Sequence, residues 1–71
     1  MIERMAAVLN RWRGDVTPTE LARRAGLSQP WVRAVMMGEG NPSRDTIVAL
    51  CGALGKTEAD LIRAMAEELD T

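Results

Sequence analysis

The chain has 71 residues, a formal net charge of −1, 46% apolar and 27% charged residues, one cysteine and no histidine. A length below about 100 residues leaves room for one domain, residues 1–71, without a disulfide staple; lacking histidine, the chain also lacks the usual zinc sites and nucleophile triads, so neither an enzyme nor a metal or other cofactor is expected. No apolar run approaches the ~20 residues of a membrane span, and Met-Ile-Glu-Arg is not the start of a secretion signal, so a cytoplasmic location is expected.

Both aromatic residues are tryptophans, and no segment alternates apolar with polar residues as a strand does. Every segment reads at helical period. From Ile2 to Arg13, the positions Met5, Val8, Leu9 and Trp12 form one apolar stripe, and Gly14-Asp15 ends the helix. Thr17 is an N-cap residue and Pro18 suits the first helical position, opening a second helix that runs to Ala25. Glu20 follows Thr17 at the spacing of a capping box, and Gly26 supplies a left-handed C-cap. Ser28 caps a third helix, Gln29 to Met37, with Pro30 tolerated in its first turn. After the turn-rich stretch 38–42, Ser43 caps a fourth helix carrying Ile47, Leu50, Cys51 and Leu54 inward until Gly55. Thr57, with Asp60 near the N3 position, caps a last helix over 58–69, striped by Leu61, Ile62, Met65 and Leu69. The expected fold is all-α, a compact five-helix bundle.

Two short helices joined by a glycine-containing turn, about residues 17–37, are the local pattern of a helix-turn-helix. The longer stretch from Thr17 to Leu61 resembles the Cro and lambda-repressor type helix-turn-helix family, also called the xenobiotic-response-element family. Glu20-Leu21-Ala22, Ala25-Gly26-Leu27-Ser28-Gln29, Val32, Gly38, Pro42-Ser43, Thr46-Ile47, Leu50, Ala53-Leu54-Gly55 and Leu61 carry the resemblance without a gap. It implies a lambda-repressor-like DNA-binding domain whose third helix enters the major groove of double-stranded DNA.

With Val32, Val35 and Met36 facing the core, the third helix turns Pro30, Arg33, Ala34 and Met37 outward, flanked by Gln29 and Trp31. Gln29 matches a family position that often contacts a base, and its amide can pair bidentately with adenine; Arg33 can do so with guanine or neutralise a phosphate. Pro30 and Ala34 stand at further base-reading positions but offer only apolar contact, suited to a thymine methyl. Phosphate contacts are assigned to the hydroxyls of Thr17 and Ser28, the backbone around Gly40 and Asn41, and Arg11, Arg13 and Arg44. Trp31 is first of all a cover for the core edge, with a phosphate or sugar contact as the alternative, and Met37 lies at the DNA edge. The family often pairs a glutamate at the Met36 position with an arginine of the first helix, here Arg11, and places a phosphate-holding glutamine where this chain has Pro18. This chain departs from both patterns.

A pI near 5.3 taken alone disfavours a polyanionic partner, but the charge is unevenly placed. Arg4, Arg11, Arg13, Arg23, Arg24 and Arg33 against Glu3, Asp15 and Glu20 make residues 1–37 net +3, while residues 38–71 are net −4. The half with the reading helix is basic. Ile62, Met65 and Leu69 on the last helix serve either the core or a homodimer contact, which would place two reading helices about 34 Å apart on a palindrome. The sequence thus points to a transcriptional regulator, a repressor by operator occupancy, with no small-molecule ligand. The alternative is a helix-turn-helix scaffold used as a protein interaction module of the antitoxin or anti-factor type.

Overall fold

The apolar stripes and caps organise the described residues into five helices. In the computed structural model, which describes residues 2–69 and the side chains of residues 2–67, α1 spans Ile2–Arg13, α2 Pro18–Ala25, α3 Gln29–Met36, α4 Arg44–Ala53 and α5 Glu58–Leu69. No strand occurs among the described residues, and the fold is all-α.

Each helix start after the first is fixed by a hydroxyl that satisfies an amide left without an intrahelical partner. Thr17 accepts from the Glu20 amide at 3.1 Å, Ser28 from that of Trp31 at 3.4 Å, Ser43 from that of Thr46 at 3.3 Å and Thr57 from that of Asp60 at 3.1 Å. Among these four starts, only that of α5 is a box closed in both directions, the Asp60 carboxylate accepting from the Thr57 amide at 2.9 Å. Glu20, expected to do the same for Thr17, instead turns its carboxylate to Arg23 and Arg24. Two forward guanidinium partners attract it more strongly than one amide behind it.

α3 stops one residue before the expected end. Met37 is its C-cap, the Gly38 amide donates to Val35 O at 3.0 Å and the Glu39 amide to Ala34 O at 2.9 Å, so the last carbonyls are satisfied by a tightening turn.

The core is formed by Val8 and Leu9 of α1, Leu21 and Ala22 of α2, Val32, Val35 and Met36 of α3, Leu50 and Cys51 of α4 and Leu61 of α5. Leu9, Leu21, Val32, Val35 and Leu50 are wholly buried, each contributing roughly 1.5–3 kcal/mol of apolar burial. α2 packs on α3 and α4, while α1 packs on α3 and α5. Trp12, Ile47 and Leu54 cover the core edge, half-buried.

A polar tie fixes α3 to α1. Asn10 Nδ2 donates to Ala6 O within its own helix and to Met36 O at the end of α3, both at 2.8 Å. Arg13 Nε in turn donates to Asn10 Oδ1 at 2.8 Å, and its Nη1 donates to Val16 O at 3.0 Å. The end of α3 is therefore held by hydrogen bonds as well as by burial.

Candidate nucleic-acid interface

α3 presents a surface because its other side is consumed by the core. Val32, Val35 and Met36 are buried, and Gln29, Pro30, Arg33 and Met37 are exposed, Met37 at 72%. Ala34 and Trp31 are half-buried between these two faces.

Helix α2 reaches this surface through Gly26. Its φ of 70° is costly for residues with a Cβ, and the sharp turn it allows is closed by its own amide on Arg23 O and by the Leu27 amide on Ala22 O. The first turn of α2 thereby meets the first turn of α3. With the Gln29 amide turned so that its oxygen faces the donors, that oxygen accepts from Thr19 Oγ1 at 2.7 Å and from Arg33 Nη2 and Nε at 2.8 and 3.2 Å. Gln29 and Arg33 are thus brought together on α3, and Thr19 joins them. Sequence spacing alone missed Thr19; the one signal was a hydroxyl beside Pro18 on the helix that precedes the turn.

The groups assigned to phosphate are in varied states. Thr17 and Ser28 accept amide protons at the starts of α2 and α3, and each hydroxyl keeps its own proton to donate beside the positive end of a helix dipole. Arg13, Pro18, Arg33 and Met37 share the lining of a depression of about 250 Å3 with Asn10 and Met36. Arg13 is half-buried and bonded to Asn10 and Val16; Arg11 is exposed. Arg44 is held by Glu58 across the α4 and α5 starts, with Nε and Nη2 each 3.0 Å from a carboxylate oxygen. Gly40 and Asn41 are exposed in the loop after α3. The Trp31 ring lies over Gly40, packed at the core edge, and a Cβ on Gly40 would stand 2.7 Å from Cζ3.

The acid of α2 is accounted for as well. Hydrogen bonds from Arg23, and then Arg24, hold the Glu20 carboxyl down at about 2, so it is ionised and paired at neutral pH. On α5, Ile62 is exposed and Met65 half-buried; both line an apolar groove of about 470 Å3 between α1, α5 and the 38–43 loop, with Arg4, Asn41 and Glu58 also lining it. The Leu69 side chain lies outside the described residues. Cys51 is buried, and desolvation pushes its thiol upward, away from reactivity at neutral pH. Among the described residues no group of three or more His, Cys, Asp or Glu is placed to hold a metal ion, and no helix is long and apolar enough to cross a membrane.

Two short helices set at a glycine turn, the first braced on the core and the second exposing polar side chains, define a helix-turn-helix, a DNA-binding module. A family model described as a helix-turn-helix domain matches residues 3–67. The chain belongs to this family, in agreement with its resemblance to the Cro and lambda-repressor type. No match was found among curated proteins or among solved structures.

Proposed function

We propose that this DNA-binding protein is a sequence-specific transcriptional repressor that occupies a palindromic operator as a homodimer, with α3 in the major groove. The observation that carries this reading is the exposure of Gln29 and Arg33, two side chains with base-edge hydrogen-bonding patterns, on a helix whose opposite side is locked in the core. Pro30 and Ala34 contribute apolar contact beside them. The Thr17 and Ser28 hydroxyls, the backbone at Gly40 and Asn41, and Arg11 and Arg13 take phosphates, with Trp31 and Met37 at the rim; Arg44, its charge already offset by Glu58, adds less.

The dimer reading draws on the groove at Ile62 and Met65. An isologous contact there would bury this apolar lining against its own copy. A second reading, a protein interaction module, draws on the same groove and on the exposed Met37.

Selection of binding sites from randomised duplexes at about 50 and about 200 mM salt separates the two. A repressor enriches a palindrome and loses affinity at least about a hundredfold between these concentrations, as expected for release of counterions from several phosphates. Equal, weak binding to every duplex would instead favour the interaction module.

A further inference from the structure

We propose that Arg33 is the side chain that reads sequence and that Gln29 and Thr19 are positioning residues for its guanidinium, so that Gln29 does not read adenine. This rests on the DNA-binding reading above. A glutamine recognises adenine by accepting from N6 and donating to N7 at once, so its amide oxygen must be available. With the amide turned so that its oxygen faces the donors, that oxygen lies 2.7 Å from the Thr19 hydroxyl and 2.8 and 3.2 Å from the Arg33 Nη2 and Nε, three donors converging on an atom with two lone pairs. What Gln29 has left is its NH2 group, a donor only. It suits a phosphate oxygen or a guanine edge and cannot accept from adenine N6.

Arg33 is left in the opposite condition. A guanidinium has five N–H donors, and Gln29 engages one on Nε and one on Nη2, leaving a proton on each terminal nitrogen for guanine O6 and N7. An exposed arginine loses rotamer freedom when it docks, and a side chain already held in place loses less. The holding is anchored outside α3: Thr19 is exposed on α2, contributes nothing to the core, and ties the first turn of the reading helix to its neighbour.

The test is site selection from a randomised duplex pool with the full chain and its Thr19→Val, Gln29→Ala, Gln29→Glu and Arg33→Ala variants, each checked for unchanged helical content by circular dichroism. The wild type is expected to select guanine at one position of each half-site, and Arg33→Ala to reduce that preference about tenfold or more. Gln29→Ala and Thr19→Val should weaken the preference at the same position by a smaller factor, ~threefold, leaving other positions unchanged. Gln29→Glu, whose carboxylate can accept both hydrogen bonds, should retain it. An adenine preference that Gln29→Ala erases while the guanine stays, or that Gln29→Glu converts to cytosine, overturns the proposal and leaves the regulator reading standing. If the wild type enriches no sequence, the regulator reading fails and this proposal falls with it.

Discussion

Single residues carry the sharpest contrasts in this chain, and two glycines illustrate them. Gly40 has a φ of 80° and lies under the Trp31 ring, so Gly40→Ala adds both backbone strain and a collision with an aromatic edge that is itself packed on the core. A loss of about 1–3 kcal/mol is expected in urea unfolding, with a shift in Trp31 emission when measured in a Trp12→Phe background. Gly52 is exposed on α4, where an added Cβ would meet nothing within 4 Å, and it behaves oppositely: Gly52→Ala should stabilise by about 0.5–1 kcal/mol. Equal effects of the two substitutions would show that neither the positive φ at Gly40 nor the Trp31 contact matters. The sequence made the buried members of α3 legible, because Val32, Val35 and Met36 share one helical arc. It left Asn10 and Thr19 unread, since a half-buried amide bonded to a carbonyl 26 residues away, and a hydroxyl bonded across a turn, depend on how helices cross and leave no periodic trace.

At the scale of elements, helix boundaries were legible because short-range chemistry sets them: a hydroxyl, three residues, an amide. The same local rule failed to distinguish two boxes of equal spacing. Asp60 closes on Thr57, while Glu20 is captured by arginines on its own helix, and Arg44 finds Glu58 through the packing of α4 against α5, fourteen residues on. The closed box makes α5 depend on acidity. The Thr57 amide, and then its hydroxyl, hold the Asp60 carboxyl below its ordinary value. A carboxylate depressed in the folded state stabilises fully above its unfolded value and loses this contribution as pH falls through the folded one. Thr57→Ala is expected to cost about 1 kcal/mol at neutral pH. The melting temperature of Asp60→Ala should lie below that of the wild type at pH 7, and the gap should close as pH drops below the ordinary carboxylate range. The corresponding gap for Glu20→Gln should persist further, since Glu20 titrates only at about 2. A gap for Asp60→Ala that stays constant from pH 7 to the acid limit would rule out the carboxylate's part in the cap.

For the molecule as a whole, a net charge of −1 misleads because it averages over two unlike halves, and the +3 half contains α1, α2 and α3. The fold class could be read from the chain, since every apolar stripe had the same period. How α5 divides its stripe could not: Leu61 and Ala64 turn to the core, whereas Ile62 stays 62% exposed, a division that depends on how α5 packs against α1 and α4. That exposed side chain allows the proposed homodimer to be tested without disturbing the monomer's interior. Ile62→Asp places an unpaired carboxylate at the centre of the proposed contact, where burial would be strongly penalised, but leaves the core residues in place. Sedimentation equilibrium should give twice the chain mass for the wild type and a single chain mass for Ile62→Asp, with identical far-ultraviolet circular dichroism. Binding to a full palindrome should then fall to the affinity of a half-site, because the second reading helix no longer arrives with the first. A wild-type chain that sediments as a monomer on and off DNA, or an Ile62→Asp variant that keeps the doubled mass, would remove the groove between α1 and α5 from any account of how the operator is held.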